Sequence, residues 1–318
     1  MKADKIGGKV IGSVNNIVNI TVLTVIVLLL AFAGYALWDT NQIFKAADKS
    51  HYAVYKPTAE DGGKSFKELQ AINPDIIAWL SVYGTNIDYP VTQGRDNMKY
   101  INTNAEGCYS LSGAIFLDTS NSRDFSDFNS ILYGHHMEKK MMFGEIGNFL
   151  DKKMFDSRRY GNLYFDGEDH GIEFFAFVHT DAYDGTIFSP NVKEEKRQAY
   201  LDDLLAKAMY KRDIGVTVED NIIMLSTCSS GSTNGRDILI GKINDEPYED
   251  TFIKGKTNDG KEQLHVDGRG SFQDGILRWL LPAGILTALL PVIILFINHK
   301  QKQRKANKSG ETKNANDT

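Results

Sequence analysis

From Ile17 to Trp38 the chain is apolar and uncharged, with Asn19, Thr21 and Thr24 as its polar side chains. At about 1.5 Å of rise per residue, a helix of this length crosses a hydrocarbon core of roughly 30 Å. Lys2, Lys5 and Lys9 precede it against one acid, Asp4, which sets residues 1–16 in the cytoplasm by the positive-inside rule. The rival reading is a cleaved signal peptide, with Ala31-Phe32-Ala33 as the cleavage site. The run continues past that site to Leu37 and Trp38, which favours an uncleaved anchor over 17–38.

A second apolar stretch runs from Trp279 to Ile297 and contains Pro282 and Pro291. Proline is costly in a soluble helix but tolerated in a membrane span. Arg278 marks one end, and beyond the other lie Lys300, Lys302, Arg304, Lys305, Lys308 and Lys313. The alternative, a terminal apolar helix docked on the folded body, leaves that basic tail unexplained. The expected spans are therefore 17–38 and 275–297, with residues 298–318 cytoplasmic and 39–274 outside. The formal net charge is −5 although both ends are basic, so the middle is strongly acidic. Such a middle argues against nucleic acid as a partner, because phosphates need a basic surface. With 42% hydrophobic and 24% charged residues, the chain is not of disordered composition.

Between the spans the pattern divides into an extracellular linker (39–62), a folded body (63–250) and a polar, glycine-containing tether (251–274). The body opens on a helical pattern at Ser65–Ile72, stopped by Asn73-Pro74. Short apolar segments follow: Ile76–Val82, Ile87–Val91, Ala114–Leu117, Ile131–Tyr133, Glu173–Val178, Gly215–Val218, Ile222–Leu225 and Ile238–Ile243. Rich in Ile, Val, Phe and Tyr, they predict a mainly β body, a barrel or a sandwich. Within Lys193–Tyr210 the apolar residues Tyr200, Leu201, Leu204, Leu205, Ala208 and Met209 share one helical face, so a helix is inserted between two late strands.

Cys108 and Cys228 are too few and too far apart for a disulfide framework or a metal knuckle. A lone cysteine is commonly buried as a small hydrophobe, which is the expectation for Cys108. Cys228 is different: it follows the strand-like Ile222–Leu225 and would sit at a sheet rim, where a thiol needs a base or cation to ionise. A base is at hand in Tyr133-Gly134-His135-His136, which ends another strand. Arg236 opens the strand after a loop, eight residues past Cys228, where its guanidinium would meet a carbonyl or developing oxyanion. Spacing alone leaves open that the cysteine is structural and the histidine pair a surface feature.

Leu225-Ser226-Thr227-Cys228 followed by Arg236 resembles the TLxTC signature of sortases in its class B form, and Tyr133-Gly134-His135 resembles the class B histidine strand. Asn73–Leu80, Gly84–Val91, Gln93–Asn97, Gly113–Asp118 and Met142-Phe143 are similar to the family in the same order, as is the helix before the cysteine strand. The resemblance implies a closed sortase β-barrel with an N-terminal helix and an inserted helix, here flanked by two transmembrane helices. It implies a catalytic group of His135, Cys228 and Arg236, with no cofactor and no metal. Substrates would be secreted proteins bearing a C-terminal sorting motif, and the acceptor an amine of peptidoglycan or a pilin lysine. His135 is chosen over His136 because the family histidine follows the Tyr-Gly pair, and strand neighbours point to opposite faces. His136 then reads as a rim residue. Tyr133 shares the face of His135 and Ser226 that of Cys228; with Thr227 and Tyr183 they are the candidate substrate-binding residues. Ser189, in the same loop as Tyr183, is a weaker candidate for the channel's border.

The second span departs from the usual class B topology. A C-terminal span is more typical of pilus-assembling class C members, but residues 39–75 hold no Asp-Pro-aromatic lid triplet of that class. Two other readings stand beside this one. A two-span surface protein that merely binds would not need Cys228, and an endopeptidase would use water as acceptor.

Overall fold

The computed structural model describes residues 2–252 apart from Ala59, Ser230 and Ser232. The tether beyond residue 252, the span expected at 275–297 and the basic tail lie outside the described residues. Helix α1 (Lys2–Ala47) contains the first apolar run, and its stretch Val14–Ala47 is long and apolar enough to cross a membrane.

The segment expected to be a linker is folded. After α1 ends at Ala47, two 3-10 turns follow, Lys49–His51 and Ala53–Tyr55, the first capped by the Asp48 carboxylate accepting from Ser50 N. Ala47 and Tyr52 are buried in the main core. Two apolar side chains suffice to dock a segment whose average composition is polar. Helix α2 (Lys64–Ile72) then buries Phe66 and Leu69 and stops at Asn73.

The strands are β1 (Ile76–Val82), β2 (Asp88–Thr92), β3 (Ile115–Leu117), β4 (Asn129–Tyr133), β5 (Tyr160–Phe165), β6 (Glu168–Asp181), β7 (Ala208–Lys211), β8 (Ile222–Cys228) and β9 (Gly235–Asn244). Two helices interrupt them, α3 (Lys152–Ser157) and α4 (Arg197–Lys207). Neighbours run β5-β1-β2-β3-β4-β8-β9-β6, and β6 pairs back to β5, closing an eight-stranded barrel. The long β6 shares its other partners along its length: β5 meets Glu168–Glu173 and β7 meets Ala176–Val178. The β-branched and aromatic content of these segments suits a wall buried on both sides. One layer, with Leu132, Phe174, Phe177, Ile223, Leu225 and Leu239, belongs to the main core. The alternate residues Ile131, Val178, Ile222, Met224, Ile238 and Ile240 form a second layer with Tyr200, Leu201 and Leu204 of α4. Period-two alternation therefore assigns each strand residue to one of two cores.

Four expectations are corrected. Gly215–Val218 is no strand: Gly215 has φ +69°, and Asp220 closes a turn by accepting from Thr217 N. Strand β5 goes unread above because Gly161 and Asn162 break its apolar run. Its hairpin with β6 turns on Asp166-Gly167, both at positive φ (51° and 89°), a two-residue connection that matches the strand twist. The inserted helix stops at Lys207, because Ala208–Lys211 pairs with β6 instead. Cys108 is exposed rather than buried, on the loop closed by the Thr103–Tyr109 bridge.

Candidate active site

Strands β4 and β8 are parallel neighbours with Tyr133 opposite Ser226. The pairing ends there, but Gly134 N still donates to Ser226 O at 3.2 Å and the Thr227 hydroxyl to Gly134 O at 2.8 Å. Extending the register by two residues sets His135 beside Cys228, one strand spacing of about 4.8 Å away. Antiparallel β9 sets Arg236 directly opposite Cys228 on the other side. Three adjacent strand ends thus deliver the imidazole, the thiol and the guanidinium in a row.

The face they share follows from the same alternation. On β8, Ile222 and Met224 lie in the layer that α4 covers, and Ser226 and Cys228 continue that row. Cys228 is the first of the row left exposed, so its sulfur faces an open cavity rather than a core. That cavity, about 260 Å³, is lined by Tyr133, Gly134, His135, Ser226, Thr227, Cys228 and Arg236 among the residues singled out from the sequence. Tyr183 is not part of the lining: it is 84% exposed on the turn after β6, and would touch only a substrate reaching beyond the cavity. Ser189 borders a separate depression against α4 and donates its hydroxyl to Gly185 O.

His135 Nε2 lies 2.8 Å from Ile101 O. A carbonyl only accepts, so Nε2 carries a proton in this contact and Nδ1 is the ring nitrogen left for proton exchange. His136 points elsewhere. A β-carbon placed on Gly147 would stand 3.8 Å from His136 Cε1 and 3.1 Å from the buried Asp237 Oδ2, and His136 Nδ1 is buried without a partner. Gly134 has no room for a side chain, since a β-carbon there would meet the Phe143 ring at 2.7 Å. Arg236 spends one N–H on the carbonyl of Gly235, 2.9 Å away, leaving its other donors available.

Three lining residues escape the sequence reading: Asn97, Ile101 and Phe116. Asn97 Nδ2 and the Tyr133 hydroxyl both donate to Asp118 Oδ2, at 2.8 and 3.1 Å, which ties the far wall to the histidine strand. Burial, and then the charge of Asp118, push the Tyr133 phenol well above its ordinary pKa, so it stays a neutral donor. Phe116 packs on Tyr133 with ring centroids 5.4 Å apart. No cluster of three or more His, Cys, Asp or Glu suited to a metal occurs among the described residues. A thiol, an imidazole and a guanidinium around a partly apolar cavity are the parts of a nucleophilic acyl-transfer centre.

No family model matches the chain. It is 31% identical over 182 residues to sortase B of Staphylococcus aureus (strain NCTC 8325 / PS 47), spanning 56% of this chain and 74% of that protein. It is 30% identical over 220 residues to sortase B of Listeria monocytogenes serovar 1/2a (strain ATCC BAA-679 / EGD-e), spanning 66% and 88%. Among solved structures, sortase B from the type II pilus of Streptococcus pneumoniae superposes with a TM-score of 0.51 at 47% identity, covering 57% of this chain and 99% of that one. The closed barrel, the helix inserted before the cysteine strand and these relatives agree: the chain belongs to the class B sortases.

Proposed function

We propose that this sortase is a membrane-anchored cysteine transpeptidase whose catalytic group is Cys228, His135 and Arg236. The observation that carries the reading is their meeting in one cavity from three adjacent strand ends. The Cys228 thiolate attacks the Thr carbonyl of a C-terminal sorting motif on a secreted protein. The carbon–sulfur bond forms, the peptide C–N bond breaks, and His135 gives a proton to the leaving amine. An acceptor amine then attacks the thioacyl carbon, His135 takes its proton, and the Cys228 sulfur leaves. Arg236 donates to the carbonyl oxygen as it becomes an oxyanion. Tyr133, Ser226 and Thr227 line the path of the motif, and Asn97 joins them.

Peptidoglycan supplies the acceptor amine in this reading. A pilin lysine is the second reading, favoured by the likeness to a sortase B from a streptococcal pilus. The apolar run 17–38 holds the domain at the membrane, and 275–297 provides a second span, with both termini cytoplasmic. The test incubates the full chain in detergent micelles with a library of sorting-motif peptides and an amine acceptor, read by mass spectrometry. Transfer products that vanish in Cys228→Ala support the proposal. Products that persist in Cys228→Ala, or none across the library, refute it.

A further inference from the structure

The loop that follows the catalytic histidine is strained. Lys139, Lys140 and Met142 all have left-handed backbone, with φ of 57°, 62° and 50°. None is glycine, and such conformations persist only where the surroundings over-determine them. The same loop holds the histidine in place: Phe143 N donates to His135 O at 3.1 Å, and His136 and Met142 form a β-bridge.

What over-determines the loop is the end of α1. The buried Tyr89 hydroxyl donates to Ala47 O at 2.9 Å and accepts from Met142 N at 3.1 Å. The Lys139 ammonium sits 4.0 Å from the centroid of the Phe44 ring, a cation–π contact on the same helical turn. From the α1 carbonyl, two hydrogen bonds reach Met142, and the next residue bonds the histidine backbone. Burial pushes the Tyr89 phenol up to about 12, so it remains a neutral relay across the working pH range.

We propose that the last turn of α1, through Phe44 and the Ala47–Tyr89–Met142 relay, is a positioning element for His135. The inference rests on His135 being the general acid and base of the proposed reaction. The helix that carries the apolar run thus ends on the loop that aims the catalytic imidazole, and the span and the site work as connected parts.

The experiment uses the full chain in detergent micelles, the thioacylation of a sorting-motif peptide, and three variants. Tyr89→Phe removes one oxygen, Phe44→Ala removes the ring, and Lys139→Arg keeps a cation over it. The expected result is that Tyr89→Phe and Phe44→Ala each lower kcat about tenfold, the effect of one lost contact between buried groups. KM should stay within about twofold and Lys139→Arg close to wild type, at a temperature where thermal scans find every variant folded. Wild-type kcat in both Tyr89→Phe and Phe44→Ala would overturn the inference, as would a loss that only tracks the unfolded fraction. A wild-type chain that forms no Cys228 adduct would instead refute the catalytic reading itself, so the two failures are told apart.

Discussion

Thr227→Val tests how the cysteine strand is tied to the histidine strand. Thr227 is buried, and its hydroxyl donates to Gly134 O at 2.8 Å, bridging β8 to the residue before His135. Valine keeps the branched shape, so packing hardly changes, but the carbonyl loses its donor in a buried place. A neutral hydrogen bond is worth about 1 kcal/mol net, and a stranded buried acceptor costs about 1–3 kcal/mol. For a domain of this size each kcal/mol moves Tm by about 2–4 °C. The loss falls where Gly134 leaves the β4 register, so kcat should drop more than the stability change suggests, and Thr227→Ser, which restores a hydroxyl, should recover most of it. The assays are thermal unfolding of the full chain in micelles and peptide thioacylation at a temperature well below Tm. A Val variant with unchanged Tm and unchanged kcat would refute the idea that this bond aligns the two strands.

Stability should fall at both pH extremes. At Asp75 burial opposes the charge, but hydrogen bonds from Lys99 and Tyr100 and the charges of Lys99 and Arg123 outweigh it and lower its pKa. Its contribution is present above the unfolded value of about 3.9 and is lost as pH falls through the folded value, so Asp75→Asn should flatten the acid limb of a Tm-against-pH profile. Burial raises Tyr83 and Tyr248 to about 12, so their contribution holds below about 10 and is lost as pH rises between 10 and 12, which the alkaline limb of the same profile reads. Gly167→Ala should cost about 1 kcal/mol by differential scanning, purely through its φ of +89°, because no atom lies within 4 Å of the added methyl.

Much of the barrel was legible because its strands are buried on both sides. Ile76–Val82 is apolar nearly throughout, and the strand has those same bounds. Where glycine and asparagine interrupt a strand, as in β5, the apolar count fails and only the Asp166-Gly167 turn betrays the hairpin. Ala208 and Met209 fit a helical face as well as an alternating strand, and pairing with β6, a tertiary fact, decides between them. Cys228, His135 and Arg236 could be named because each ends or opens a strand, where period two fixes the face. Asn97 and Ile101 could not, since their loop returns only through tertiary contacts: buried Tyr100 accepts from Asn73 Nδ2 and donates to Asp75, 2.9 Å each, far back in the chain. The folded lead-in was hidden for the same reason, its Ala47 carbonyl finding Tyr89 across 42 residues.

The central claim is that Cys228 forms a thioacyl bond with a sorting-motif peptide. Intact-mass spectrometry of the full chain, quenched during turnover, measures this directly, and the exposed Cys108 supplies an internal control. The account predicts one acyl adduct that peptide mapping assigns to Cys228, absent in Cys228→Ala and released by an amine. No adduct under turnover, or one that maps to Cys108 and survives Cys228→Ala, would contradict it.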